Sequence, residues 1–161
     1  MKTDKMTKVL IALDYDQTAK KVADAGFSLA KSMGAEVVLL HVILDAVYYS
    51  SKEYSPITGF TGVMDTIPVQ LDNVDALKKV SLAFLEKFKK QLGDEAIQTK
   101  VVEGDFAESI LKAAKDLHVD IIVMGSHSRK WLENIVMGSV AEKVLRNSSL
   151  PLFIIPTKKR N

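Results

Sequence analysis

Short unbroken apolar runs alternate along this chain with longer stretches in which apolar residues recur at helical spacing. Lys8 to Leu13 (KVLIAL) has no polar alternation, the pattern of a parallel strand buried on both faces. Asp14-Tyr15-Asp16-Gln17-Thr18 breaks the run, and a helix is predicted from there to Met33, with Val22, Gly26 or Phe27, Leu29-Ala30 and Met33 on its inner side. Gly34 stands where a C-terminal cap belongs. Glu36 to Ile43 (EVVLLHVI) reads as a second buried strand. Helical spacing returns from Leu71 to Leu92 through Val74, Leu77, Ser81, Phe84-Leu85, Phe88 and Leu92, and Gly93 closes it. Ala96 to Val102 alternates more (Ile97, Thr99, Val101), so the third strand is predicted nearer an edge.

Asp105 with Glu108 three residues on has the form of a capping box, opening a helix whose stripe is Phe106, Ile110, Ala113-Ala114 and Leu117. Ile121-Ile122-Val123-Met124 is the fourth strand, ended by Gly125. Gly138-Ser139 opens the last helix, where Val140, Ala141, Val144 and Leu145 share a face. Pro151 to Pro156 frames a short final strand, and a proline at each end suits an edge.

Strands alternating with helices in this way predict an α/β fold, a doubly wound five-stranded parallel sheet with helices on both faces. Right-handed crossovers leave few arrangements. In one of them, order 3-2-1-4-5, the first and fourth strands are neighbours where the winding reverses, and ligands bind off the strand ends there. Those ends are Asp14 and Gly125. Leu44 to Pro68 stands apart: two prolines, two glycines and three of the four tyrosines, with no period. It is expected to form a flap or insertion at about 44–68 in a single domain spanning 1–161.

Composition narrows the function classes. The 161 residues are 47% hydrophobic and 26% charged, ordinary for a globular protein able to bury a full core. With 22 basic and 20 acidic residues the net charge is +2, too balanced to argue for a nucleic-acid surface; the Lys158-Lys159-Arg160 tail reads as a solvated end. The absence of cysteine excludes disulfides, thiol catalysis and thiolate metal sites. MKTDKMTK lacks the apolar core of a signal peptide, and no apolar run approaches about 18 residues. A cytoplasmic protein without membrane partners is expected.

The chemistry concentrates after the fourth strand. Gly125, the polar and basic turn Ser126-His127-Ser128-Arg129, and Gly138-Ser139 at a helix start together describe an anion site, because free backbone N–H groups and the helix dipole point at whatever sits there. There is no G-x-x-x-x-G-K-[ST], and the first strand turns without glycine, which excludes a P-loop and a dinucleotide fingerprint. Plainer roles compete for the same residues. Asp16, and less so Asp14, would serve as a cap of the first helix; His41 would be a strand-end residue; Arg129 and Lys130 would be surface charges, though beside a helix N-terminus they suit phosphates. Trp131, Leu132, Ile135, Val136 and Met137 would pack beneath the loop or offer a partner surface. Ser126, His127 and Ser128 are adjacent and form no presumed triad, and no convergent base or second metal ligand can be named. No catalytic residue and no protein-held metal is therefore assigned.

One further pattern gives these residues specific roles. A glycine, two residues, a glycine, nine residues and Gly-Ser is the ATP-binding signature of the universal stress protein family, which this sequence resembles as Gly125-Ser126-His127-Ser128, then RKWLENIVM, then Gly138-Ser139. The resemblance covers nearly the whole chain, including VLIALDYD, VVLLHVI, ILKAAKDLHVDIIVMGSHS and SLPLFIIP. It implies that Asp14 contacts the adenosine part and Val42 the adenine. It implies too that Met124, Gly125 and His127 line the ribose and phosphate side. Arg129, Gly138, Ser139 and Val140 would then meet the phosphates, largely through backbone N–H groups.

The departure is Ser128 at the second glycine, where a positive φ would cost serine on the order of 1 kcal/mol. The resemblance implies an ATP-binding regulatory protein of stress response, with AMP or ADP as related ligands and Mg²⁺ entering with the nucleotide. It further implies a homodimer through the last strand, Leu152 to Ile155. The alternatives are an interaction module of the same fold that no longer binds nucleotide and, with less support, a slow ATP hydrolase.

Overall fold

Among residues 6–44, 74–126 and 137–157, which the computed structural model describes, five strands and four helices follow one another along the chain. They are β1 (Lys8–Ala12), α1 (Ala19–Met33), β2 (Glu36–Ile43), α2 (Val74–Leu92), β3 (Gln98–Glu103), α3 (Phe106–Asp116), β4 (Ile121–Gly125), α4 (Ser139–Asn147) and β5 (Leu152–Ile155). The strands form one parallel sheet in the order β3-β2-β1-β4-β5, so β3 and β5 are its edges.

The unbroken apolar runs have a direct cause in the two layers of core. Side chains of Val9, Ile11, Val37, Leu39, Ile121 and Val123 meet Ala23 and Ala30 of α1 and Leu85 and Phe88 of α2. The alternating positions Leu10, Val38, Leu40, Ile122 and Met124 meet Ile110 and Ala113 of α3 and Ala141 and Val144 of α4. Each large apolar side chain so enclosed contributes about 1.5–3 kcal/mol relative to exposure. On α1 it is Gly26, not Phe27, that takes the innermost position. A Cβ there would stand 2.8 Å from Ile11 Cδ1 and 3.0 Å from Val123 Cγ1, so the missing side chain lets α1 sit close over β1 and β4. Gly34 caps α1 in the left-handed conformation, φ 64°.

Several boundaries differ from expectation for identifiable reasons. The third strand begins at Gln98 rather than Ala96, because the Asp94 carboxylate accepts the Ala96 amide and holds that segment in a turn. Phe106 and Leu117 are only partly buried, the inner face of α3 being Ala107, Ile110, Ala113 and Ala114. Leu145 is 49% exposed, since the nine-residue α4 buries Ala141 and Val144, with Val140 partly covered beside them. The Asp105 side chain accepts the Glu108 amide at 3.1 Å, as a capping residue should. The proposed flap from 45 to 68, and Leu71 to Asn73 at the start of the second predicted helix, lie outside the described residues. No helix among the described residues is long and apolar enough to cross a membrane.

Candidate functional site

The sheet register decides what meets at its C-terminal rim. Ile11 of β1 is opposite Val123 of β4, and Ala12 is opposite Leu40 of β2. The Leu13 amide still donates to the Leu40 carbonyl at 2.9 Å, so β1 keeps company with β2 as it ends. Asp14 lies three residues beyond Ile11, Gly125 two beyond Val123, and Val42 two beyond Leu40. The ends of β2, β1 and β4 therefore bring Asp14, Val42, Met124 and Gly125 to one stretch of rim, at the reversal of winding.

Their side chains differ in availability. Asp14 is half-buried, and its Oδ1 accepts the Tyr15 amide at 2.8 Å. Val42 and Met124 are each 5% exposed, their side chains committed to the layer beneath α3 and α4, so they supply an apolar floor. Asp16 accepts the Thr18 amide with Oδ1 at 3.0 Å, and its carbonyl accepts the Ala19 amide at 3.0 Å. The N-cap position itself belongs to Thr18, so Asp16 shapes the turn before the helix instead of capping it from the expected place.

The junction of β4 with β5 and α4 is organised by Ser126. Its amide donates to the Ile155 carbonyl at 2.9 Å, its hydroxyl oxygen accepts the Thr157 amide at 3.1 Å, and its carbonyl accepts the Gly138 amide at 2.7 Å. The last of these bonds brings the N-cap of α4 against the end of β4. Gly138 is extended (φ −70°, ψ 161°), buried, and makes no side-chain cap. The first intrahelical bond runs from the Glu142 amide to the Gly138 carbonyl at 2.9 Å, so the amides of Ser139, Val140 and Ala141 precede it. Three such donors at the positive end of a helix make an electropositive, hydrogen-bonding patch suited to an anion. Ser139 is exposed, Val140 half-buried. Met137 packs at the margin of the α3–α4 layer. His127, Ser128, Arg129 and the apolar residues Trp131, Leu132, Ile135 and Val136 lie outside the described residues.

Beneath Asp14 the structure assembles a group that sequence reasoning passed over. His41 is no strand-end residue: it is 2% exposed, within β2, and its Nδ1 hydrogen-bonds the Leu13 carbonyl at 2.8 Å. Tyr15 lies on its ring, centroids 3.9 Å apart, and meets Phe84 of α2 edge-on at 5.0 Å. The Tyr15 hydroxyl hydrogen-bonds the hydroxyl of Ser81, which is wholly buried. The signal was present: Ser81 is a polar residue in the apolar stripe of α2, and a buried hydroxyl requires a partner. Thr157, also buried, was not singled out either.

Comparison with known proteins agrees with this fold. The model of the universal stress protein family matches residues 5–156. Universal stress protein YxiE of Bacillus subtilis is 33% identical over 150 residues, 92% of this chain and 97% of that protein. Universal stress protein MJ0577 of Methanocaldococcus jannaschii is 33% identical over 156 residues, covering 94% of this chain and 95% of its own. A solved structure of MJ0577 superposes with a TM-score of 0.71 at 29% identity, over 97% of this chain and 99% of that one. The universal stress protein of Archaeoglobus fulgidus in complex with dAMP shares the fold, with a TM-score of 0.60 at 16% identity over 94% of this chain and 98% of that one. This chain belongs to the universal stress protein family.

Proposed function

We propose that the protein binds an adenine nucleotide in the crevice between the ends of β1 and β4, and that ATP carried with Mg²⁺ is the form that matters. The observation that supports this most is the Ser126–Gly138 bond, which sets the first amides of α4 at the end of β4, next to the strand that leads into Asp14. In this reading Asp14 accepts from the nucleoside and Val42 with Met124 floors the base and ribose. Gly125 allows close approach, and the amides of Ser139 and Val140 cradle the phosphates. Ser126 and Gly138 shape the loop, while His127, Ser128 and Arg129 complete it. In this reading Mg²⁺ arrives on the phosphates. That the family includes a dAMP complex and a cAMP complex fits the same ligand class.

The protein would be one domain throughout, a cytoplasmic homodimer joined through β5, whose response to nucleotide serves stress regulation. Calorimetric titration with ATP–Mg²⁺ tests the binding, with absorbance at 260 nm in the purified protein as a second reading. Saturable heat supports it; no heat and no thermal stabilisation at millimolar nucleotide overturns it. The replacement of the second signature glycine by Ser128 favours a second reading, an interaction module without nucleotide. Under that reading Ser128→Gly restores ATP binding to a protein that otherwise lacks it. Phosphate release over hours, abolished by Asp14→Ala, would instead mark a slow hydrolase.

A further inference from the structure

We propose that His41 and Ser81 are positioning residues for the nucleoside end of this site, fixing the turn that aims the Asp14 carboxylate; the proposal rests on the nucleotide-binding reading above. Asp14 is held from both sides. On one side the Leu13 carbonyl, which can only accept, takes a hydrogen from His41 Nδ1 at 2.8 Å, so the proton of the ring sits on that nitrogen. On the other side the Tyr15 ring lies tilted against His41 and edge-on to Phe84, with its hydroxyl bonded to Ser81 on α2. Leu13 is thus buried in the core and Tyr15, half-buried, is held against His41 and Phe84, while Asp14 between them stays half-exposed at the rim.

A layer otherwise built from aliphatic side chains and phenylalanine has no need of an imidazole and a hydroxyl for its volume. Burying them is unfavourable unless both are hydrogen-bonded. What they add is direction: three ring contacts and two hydrogen bonds determine where the backbone of residues 13–15 leaves β1. The Tyr15 amide donates to the Asp14 carboxylate at 2.8 Å, so fixing Tyr15 also fixes the rotamer of Asp14.

The test separates aim from fold. His41→Leu keeps volume and removes the donor; His41→Asn keeps an N–H where Nδ1 stands. His41→Leu is expected to weaken ATP and AMP alike by about tenfold, one hydrogen bond's worth of misalignment, while Mg²⁺–tripolyphosphate binding is unchanged. His41→Asn recovers most of the loss. Tyr15→Phe and Ser81→Ala, which remove the same bond, should each give the same smaller loss. On an Asp14→Ala background His41→Leu should have no further effect, because the group being aimed is gone. Equal losses for ATP and tripolyphosphate, or additivity with Asp14→Ala, would reduce His41 to a core residue and overturn the proposal.

Should the wild-type protein bind no nucleotide, the functional reading fails while positioning is still measurable by amide hydrogen exchange. Tyr15 exchange accelerates in His41→Leu relative to the Val144 amide and returns to normal in His41→Asn. Unchanged Tyr15 exchange in His41→Leu overturns the proposal on its own.

Discussion

The carbonyl of Ser126 accepts the amide of Gly138 at 2.7 Å, joining the end of β4 to the start of α4. The same serine holds β5 through two further bonds, to the Ile155 carbonyl and the Thr157 amide. Two of its three attachments are main chain, so Ser126→Ala removes only the bond from its hydroxyl to Thr157. One neutral hydrogen bond is worth about 1 kcal/mol, which for a chain of this size lowers the melting temperature by about 2–4 °C. Nucleotide affinity should change by less than about threefold, since the amides of α4 stay in place. A tenfold or greater loss in a titration would mean that the hydroxyl meets the ligand itself.

Gly26→Ala tests the close approach of α1 to the sheet. Alanine favours the helix by about 1 kcal/mol over glycine. Against that, its Cβ would press on Ile11 and Val123, both fully buried and unable to yield to solvent. Overpacking of this kind costs about 1–3 kcal/mol, so the net expectation is a loss of about 1 kcal/mol, read by urea unfolding. Because Ile11 and Val123 are the last paired residues of β1 and β4 before the rim, nucleotide binding should weaken with it. A variant more stable than the parent would show that the layer has slack at Ile11.

How far the fold was legible follows from which physical signal each element carries. β1, β2 and β4 are buried on both faces, so their apolar runs mark them without ambiguity, and β2 was bounded to the residue. Gly34 and Asp105 announced helix ends through backbone geometry and capping chemistry that depend on the residue itself. What failed depended on neighbours distant in sequence. Leu145 has the right periodicity, yet whether such a residue is covered is decided by the element opposite, and on the short inner face of α4 Ala141 and Val144 take the space. The rim followed from topology, since a 3-2-1-4-5 order makes Asp14 and Gly125 neighbours. His41 was missed because its role exists only once β1, β2 and α2 bring Leu13, Tyr15 and Ser81 around it.

Phe153 carries the prediction for assembly. It lies on the edge strand β5, 39% exposed, beside two partly buried neighbours, Leu152 and Ile154. An edge strand with an uncovered aromatic is a template for a second chain. Phe153→Glu adds charge where a two-fold pairing would bring two copies together; by sedimentation velocity the wild type is expected to run as a dimer and the variant as a monomer. The fold should be retained, because the substitution faces outward. If both proteins sediment alike, β5 is not the joining strand.

Acid stability is the remaining test, and its sign is set by carboxylates held below their ordinary value, of which Asp120 and Asp105 join separate elements. Asp120, just before β4, accepts the amides of Thr7 at 2.8 Å and Lys8 at 2.9 Å and the Thr7 hydroxyl at 3.3 Å, tying the start of β1 to that of β4. The Thr7 amide, more than any other partner, holds its carboxyl below the ordinary range. Asp105 is lowered first by the Glu108 amide and then by Lys143, which reaches it from α4 at 3.2 Å. A carboxyl whose folded value is depressed binds its proton more readily when unfolded. Its contribution is therefore complete above the unfolded value of about 3.9 and is lost as pH falls through the lower folded value. Asp120→Asn keeps an acceptor and removes the charge. At pH 7 it should cost about 1 kcal/mol, a charged hydrogen bond discounted for solvent exposure. Measured by denaturant unfolding, the gap between wild type and variant should narrow progressively below about pH 4, as the wild-type carboxyl takes up its own proton. A gap that stays constant down to pH 2 would mean that shape, and not charge, is what Asp120 supplies to the junction of β1 and β4.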